Sequence, residues 1–292
     1  MSHRSGFVNI LGNPNVGKST IMNSLVGEKL SIITSKAQTT RHRIMGIVNG
    51  EDFQIVYSDT PGILRPQYKL QETMMNLVNT ALSDADMILY ITDVTEHSAN
   101  EGEYIEKIKE TEIPVIIAVN KIDLTNQGDL EKIVELWHMA FPDSPVIPIS
   151  ALKNFNLDHL LKAILVKLPE NPPFFPKDQL TDKYERFFAS EIIREKILVN
   201  YKKEIPYSVE IEIESFKDEK AIIRIRALIH VTRDSQKGII IGHKGSMLKK
   251  VGTEARQDME DFFKKKVFLE LYVKVTKDWR DKPLMLKRFG YR

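Results

Sequence analysis

Eight residues constrain this chain more than any others: Gly12-Asn13-Pro14-Asn15-Val16-Gly17-Lys18-Ser19, which follow the apolar run 7–11 and precede a helical pattern over 20–26. The pattern G-x-x-x-x-G-K-[ST], set between a buried strand and a helix, is a loop built to receive phosphate. Its glycines let the backbone curl so that successive N–H groups face an anion, and the start of the helix adds the positive end of its dipole. Lys18 then reaches the β- and γ-phosphates of a nucleotide, the Ser19 hydroxyl coordinates Mg²⁺, and Thr20 continues the phosphate-facing turn.

The pattern that follows suits such a loop. Apolar runs at 53–57, 87–91, 115–119 and 146–149 read as strands buried on both faces, and 70–82, 104–108 and 130–137 read as helices between them. Alternating strand and helix implies an α/β fold with a doubly wound, mostly parallel sheet. Residues 43–48, joined to Phe53 through the turn signal Asn49-Gly50, add one antiparallel strand. Four prolines within residues 169–176 forbid a regular helix and favour extended chain. The expected organisation is therefore a nucleotide-binding domain over 1–168, a linker over 169–180 and a second domain over 181–292. In that second domain a helix over 183–199, a hairpin of 209–216 with 221–231, a helix over 247–265 and a last strand over 269–275 form a small α+β domain.

A phosphate loop alone does not choose the base. Asn120-Lys121-Ile122-Asp123 ends the apolar run 115–119, at the carboxyl edge of the sheet where ligands of such folds bind. Asp123 can accept both N1–H and N2–H of guanine, a pair that adenine does not offer. Lys121 would lie along the ring, Asn120 would tie the phosphate loop to the base edge, and Ser150-Ala151-Leu152 after the next run would present the Ala151 N–H to guanine O6. Asp59-Thr60-Pro61-Gly62 ends another strand, where a carboxylate can hold a Mg²⁺-bound water and the Gly62 N–H can approach the γ-phosphate. Gln38-Thr39-Thr40-Arg41 lies in a polar stretch fit to fold over that phosphate and lend a hydroxyl to the metal; Thr40 is favoured over Thr39. Loss of the γ-phosphate would release both segments, so a two-state switch is expected.

The two halves differ in charge. Residues 1–170 carry 15 basic and 21 acidic side chains, whereas 171–292 carry 27 and 19. A basic half implies a polyanionic partner, nucleic acid or membrane surface, unless it is only a solvated lysine-rich face. Gly242-His243-Lys244-Gly245 lies in that half, between the apolar 239–241 and a helix from Ser246, with Arg233, Lys237, Lys249 and Lys250 nearby. In this context the glycine loop resembles that of a type II KH domain, which clamps the backbone of single-stranded nucleic acid. Lys264, Lys265 and Lys266 suit either a solvated helix end or phosphate contact, and the tail 286–292 suits either stacking on bases or packing on its own domain. The chain contains no cysteine, so thiolate metal sites, disulfides and Cys nucleophiles are excluded. With no signal-like or membrane-spanning run, a cytoplasmic protein is expected.

In order and spacing the motifs of residues 6–165 resemble the translation-factor-like P-loop GTPases. The run Ala37-Gln38-Thr39-Thr40-Arg41-His42-Arg43 and the basic second domain extend the resemblance to the bacterial Era family over nearly the whole chain. The resemblance implies a GTP/GDP switch with Mg²⁺ on Ser19, Thr40 and Asp59, and catalysis resting on Lys18, Asn15, Thr40 and Gly62. It also implies single-stranded RNA as partner, namely the 3′ end of 16S ribosomal RNA. The setting would be assembly of the 30S subunit, with a monomeric protein and peripheral contact with the inner membrane as a further expectation. In Ras-like relatives a glutamine follows the D-x-x-G glycine; here the residue is Ile63, which cannot orient water. Several GTPases with an aliphatic residue at this position use K⁺, and Asn15 is the candidate ligand for it; the alternative is that it only caps the helix or closes a turn. Two other readings are a membrane-surface GTPase, disfavoured because no amphipathic helix has a purely basic face, and an ATP-dependent enzyme, disfavoured by Asp123.

Overall fold

The computed structural model describes residues 3–96 and 102–291. The chain forms two compact units. The first comprises Met1–Ser31, Thr40–Arg65 and Met74–Asp182; the second comprises Ile32–Thr39, Pro66–Thr73 and Lys183–Arg292.

The first unit is built on β1 (Arg4–Leu11), α1 (Lys18–Val26), β2 (Ile44–Asn49), β3 (Phe53–Asp59), α2 (Lys69–Ser83), β4 (Met87–Asp93), α3 (Glu103–Lys109), β5 (Val115–Asn120), α4 (Gln127–Ala140), β6 (Val146–Pro148) and α5 (Leu157–Lys167). The first turn of α2 belongs to the second unit. Its six strands lie in the order β2-β3-β1-β4-β5-β6, with β2 antiparallel to β3 and the other pairs parallel. All seven residues of β4 and all six of β5 are buried, as strands covered on both faces require. Trp137 of α4 packs on Tyr90, with ring centroids 5.4 Å apart. Chain order and sheet order together place the carboxyl ends of β1, β3, β4 and β5 along one edge, where the loops carrying the motifs emerge. Among the described residues no helix is long and apolar enough to cross a membrane.

The proline-rich segment is extended, and it is strapped to the first unit. The amides of Phe174 and Phe175 donate to Gln54 Oε1 at 2.7 and 2.9 Å, Phe174 packs on Phe7, and Lys177 Nζ donates to the carbonyls of Gly50 and Glu51. Two aromatic side chains and a buried glutamine opposite them give this stretch a docking face that proline content alone does not reveal.

The second unit contains α6 (Glu185–Asn200), β7 (Glu210–Asp218), β8 (Ile222–Val231), α7 (Asp234–Ile241), α8 (Ser246–Phe263), β9 (Lys266–Val275) and α9 (Pro283–Arg288). The sheet order is β7-β8-β9, antiparallel then parallel. Ile192, Ile193 and Ile197 of α6 and Val251, Ala255 and Met259 of α8 bury against Ile223, Ile225, Ala227 and Ile229 of β8. The alternation along β8 decides which face does this, because successive side chains point to opposite sides.

The tail packs on its own unit. Trp279, Leu286 and Tyr291 are buried, Phe289 contacts His230 at 4.8 Å, and Tyr291 Oη donates to Glu210 Oε2 at 2.6 Å. These rings are therefore committed to the sheet rather than presented for stacking; Arg292 lies outside the described residues. Lys265 is ion-paired with Asp218, and Lys266 with Glu260 at 3.4 Å, which favours the reading of 264–266 as a helix end.

His230 is buried under the tail, bonded to Thr276 Oγ1 at 2.8 Å and Glu212 Oε2 at 2.9 Å, with Lys274 and Arg288 close by. Burial holds its pKa below the usual histidine value despite Glu212. The unfolded chain therefore takes up this proton first, so the associated stability is present above about pH 6.5 and is lost as pH falls below it. Glu212, whose pKa is lowered in the folded unit, acts in the same direction at lower pH. Melting temperature should fall from pH 7.5 to 5.5, and the fall should be smaller in His230→Gln, which cannot charge; equal slopes would contradict this.

Candidate functional site

The phosphate loop has the curl that its sequence requires. Gly17 sits at φ 101°, and a Cβ there would lie 2.3 Å from Asn120 Nδ2, so only glycine fits. Asn15 is exposed, also in the left-handed region at φ 66°. Lys18, the first residue of α1, is buried, and its Nζ donates to the carbonyls of Gly12 at 3.0 Å and Asn13 at 2.8 Å, curling back over the loop. Burial lowers its pKa to about 8, opposed by the nearby carboxylates of Asp59 and Glu96. Ser19 and Thr20 follow in the first turn of α1.

Three oxygen donors converge beside Lys18. Asp59, fully buried at the end of β3, accepts from Ser19 Oγ at 2.7 Å and Thr40 Oγ1 at 3.2 Å, and those two hydroxyls are 2.9 Å apart. Asp59 Oδ1 is buried and finds no hydrogen-bond partner among the described residues. Burial raises the Asp59 pKa. An orphaned carboxylate oxygen among hard oxygen donors fits a Mg²⁺ ion, which would satisfy it. The geometry also separates the two threonines. Thr39 Oγ1 is engaged by Thr34 Oγ1 and the Lys36 carbonyl, so Thr40 alone of the pair reaches Ser19 and Asp59. Gly62 lies against Pro14, whose Cα would be 2.8 Å from an added Cβ, and the next residue, Ile63, donates its amide to the Gly12 carbonyl at 3.2 Å.

The base-side residues form a second cluster at the ends of β4, β5 and β6. Asn120 donates from Nδ2 to the Val16 carbonyl at 2.8 Å and accepts the Ala151 amide on Oδ1 at 3.0 Å. One side chain thus ties the phosphate loop to the 150–152 loop. The Ala151 N–H expected at guanine O6 is engaged by Asn120 in this structure, so contact with O6 would have to share or replace that bond. Asp123 is exposed and accepts from Ser150 Oγ; Leu152 is exposed as well. Lys121 Nζ pairs with Asp93 at 2.5 Å.

Asp93 and Glu96 were not legible as site residues. Glu96 accepts from Asn13 Nδ2 at 2.7 Å and from Thr92 Oγ1 at 2.6 Å, bracing the phosphate loop from the end of β4. The one available signal was the end of a buried strand at Asp93. Arg43, in the run 37–43, donates to Ser58, Asn9 and Asp84, so this arginine braces the sheet rather than facing phosphate.

In the second unit Gly242 caps α7, and the Gly245 amide donates to the Gly242 carbonyl at 3.2 Å, closing a tight turn into α8. His243 and Lys244 are exposed on this turn; Lys249, Lys250 and Arg233 are exposed nearby, and Lys237 is half-buried. Lys250 pairs loosely with Glu254 at 3.8 Å. Ile239 is 49% exposed beside the loop, whereas Ile240 is buried in the core, so the three isoleucines do not act alike.

Comparison with known proteins agrees with both halves. A family described as 50S ribosome-binding GTPase matches residues 7–121, and the KH domain family matches 204–280. GTPase Era of Ruminiclostridium cellulolyticum is 43% identical over 100% of this chain and 99% of its own, and that of Staphylococcus haemolyticus is 44% identical over 99% and 97%. Two crystal structures superpose along the whole chain. One is Era in complex with MgGDPNP and nucleotides 1506–1542 of 16S ribosomal RNA, with TM-score 0.94, 41% identity and 99% coverage of both chains. The other is a variant of Aquifex aeolicus Era bound to GDP and AlF4⁻, with TM-score 0.92, 40% identity and 99% coverage of both. With relatives more than 40% identical over nearly the whole of both chains, the chain belongs to the GTPase Era family.

Proposed function

We propose that this chain is a GTP-hydrolysing switch that binds single-stranded RNA, that the RNA is the 3′ end of 16S ribosomal RNA, and that the protein acts in the cytoplasm in assembly of the 30S subunit. The observation that carries the nucleotide half is the convergence of Ser19, Thr40 and an orphaned Asp59 oxygen beside Lys18. Ser19, Thr40 and Asp59 would hold Mg²⁺, which would supply positive charge against the nucleotide's phosphates. Residues 12–20 cradle the phosphates, Lys18 compensates charge as a water oxygen bonds the γ-phosphorus and the bond to the bridging oxygen breaks, leaving negative charge on the β-phosphate of GDP, and Gly62 presents its N–H to the γ-phosphate. Asn120, Lys121, Asp123 and the 150–152 loop receive guanine. Residues 1–168 carry this work, and 181–292 carry RNA through Arg233, Lys237, Gly242, His243, Lys244, Gly245, Lys249 and Lys250.

The RNA half is supported by the exposed glycine turn and by the rRNA held in the structure of a 41%-identical relative. Filter binding of a single-stranded 16S 3′-end oligonucleotide, set against flotation with anionic liposomes, tests it. Binding of the RNA and not of the liposomes is expected, and the reverse result would move the basic unit to a membrane surface.

Ile63 cannot offer the attacking water a hydrogen bond, so backbone groups, another side chain or a bound cation must position it. We infer that K⁺ assists at the bridging oxygen, held in part by Asn15, whose exposed side chain stands at the loop's tip. Hydrolysis is expected to be several-fold faster in K⁺ than in Na⁺ at equal ionic strength, and Asn15→Ala should abolish the difference while GTP binding survives. Equal rates in the two salts with wild type would remove the cation.

A further inference from the structure

β4 ends at Asp93, and Asp93-Val94-Thr95-Glu96 form a turn closed by the Glu96 amide, which donates to the Asp93 carbonyl at 3.1 Å. The two carboxylates of this turn are engaged in different directions. Asp93, whose side chain is 3% exposed, accepts the Thr95 amide and hydroxyl on Oδ1 and Lys121 Nζ on Oδ2. Glu96 accepts Asn13 Nδ2 on Oε1 at 2.7 Å and the hydroxyl of the buried Thr92 on Oε2 at 2.6 Å. The backbone adds a third link, since the Val94 amide donates to the Asn120 carbonyl at 3.3 Å. One short turn therefore reaches Asn120 and Lys121 on the base side and the phosphate loop on the other, and all of these residues belong to the first unit.

At the phosphate loop the hold is on both sides. The Asn13 carbonyl accepts Lys18 Nζ at 2.8 Å, so fixing the Asn13 side chain also fixes a carbonyl to which that lysine bonds. Gly12 rests on β4 so closely that an added Cβ would lie 2.1 Å from the Ile91 carbonyl oxygen, which bars movement toward the sheet, while Glu96 restrains movement away from it. A carboxylate beside a loop built for anions repels what the loop receives. What it offers in return is a pair of charge-assisted hydrogen bonds, shorter and stronger than neutral ones, which suit a brace. At the base side Lys121 carries a long side chain that loses rotamer freedom when it is laid along a ring. Its ion pair with a buried, hydrogen-bonded Asp93 restricts that freedom before a nucleotide arrives.

We propose that this turn is a positioning element joining the two halves of the nucleotide site: Glu96 holds the phosphate loop through Asn13, and Asp93 holds Lys121 where its stem meets the base. This role rests on the guanine-nucleotide reading of the site. Glu96 then acts on the β- and γ-phosphates, which GMP lacks, whereas Asp93 acts on a ring that GMP, GDP and GTP share.

The test compares full-length wild type, Glu96→Ala, Glu96→Gln, Thr92→Val and Asp93→Asn. Competition of GMP, GDP, GTP and inosine diphosphate against a fluorescent guanine nucleotide reads affinity, and thermal melting reads the fold. Glu96→Ala should weaken GDP and GTP about tenfold and leave GMP within about twofold of wild type. Glu96→Gln should restore most of the loss, because the amide oxygen can accept from Asn13 and the amide nitrogen can donate to the Thr92 hydroxyl. Thr92→Val, nearly isosteric and suited to a strand, frees only the other Glu96 oxygen and should weaken GDP and GTP by about threefold, so it decides the phosphate half if Glu96→Ala does not fold. Asp93→Asn keeps an oxygen for Thr95 but turns an N–H toward Lys121; it should weaken all four nucleotides by one common factor of about five or more. The factor is common because Lys121 meets the face of the ring, not the edge that carries the amino group inosine lacks. Unchanged affinities in Glu96→Ala or in Asp93→Asn would overturn the proposal, as would one and the same pattern of losses in both, which marks general loosening. A wild-type protein that binds no guanine nucleotide would instead overturn the reading on which the turn's role rests.

Discussion

Replacing Asp123 by asparagine should turn a guanine site into a xanthine site, with GDP affinity falling by about 10⁴. The carboxylate accepts the N1–H and the exocyclic N2–H together. An amide in its place points a donor at the N2–H₂ donor, and the two repel. Xanthine carries a carbonyl at that carbon, which the new N–H can donate to. The substitution leaves the surroundings intact, because Asp123 is exposed and the amide oxygen can still accept from Ser150 Oγ as the carboxylate does. Competition of GDP and xanthosine diphosphate against a fluorescent nucleotide reads the switch directly. If the variant binds GDP undiminished, the base is read elsewhere, and Asn120 with its bonds to Val16 and Ala151 is only a structural brace.

The second large effect belongs to RNA. His243→Asp with Lys244→Asp should weaken binding of single-stranded RNA by about a hundredfold and flatten its salt dependence, by about 0.7 log units of affinity per log unit of salt for each phosphate that is no longer neutralised. Both side chains are exposed on the turn closed by the Gly245-to-Gly242 hydrogen bond, so the fold should survive. Two carboxylates at that place would repel a backbone that has to approach closely. GTP hydrolysis in the absence of RNA should be unchanged, since neither residue lies in the first unit. Titrations at three salt concentrations read both affinity and slope. An unaltered slope would show that the phosphates are met by other residues and that the glycine turn is only a helix junction.

The parts of this protein that could be read from sequence are those that local backbone geometry sets. Residues 12–19 define a turn within a few residues of chain, the buried strands are continuous apolar runs, and Asn120 and Asp123 stand at the end of such a run; each could be placed from its neighbours alone. Tertiary structure decided what depends on pairs far apart in the chain. Thr39 and Thr40 are chemically the same residue, so sequence could favour Thr40 without deciding; in the fold Thr39 turns to Thr34 and Lys36 while Thr40 turns to Ser19 and Asp59. Glu96 on Asn13, Asp93 on Lys121 and Arg194 on Thr39 were hidden for the same reason. Sheet order and helix packing bring these partners together across 28 to 155 residues of chain, and no periodicity or motif spacing records such adjacency. The tail shows the limit most plainly: cations and aromatics on one segment suit RNA or a core equally well, and the decision lay with Glu210, Glu212 and His230 on a sheet whose exposed half needed cover.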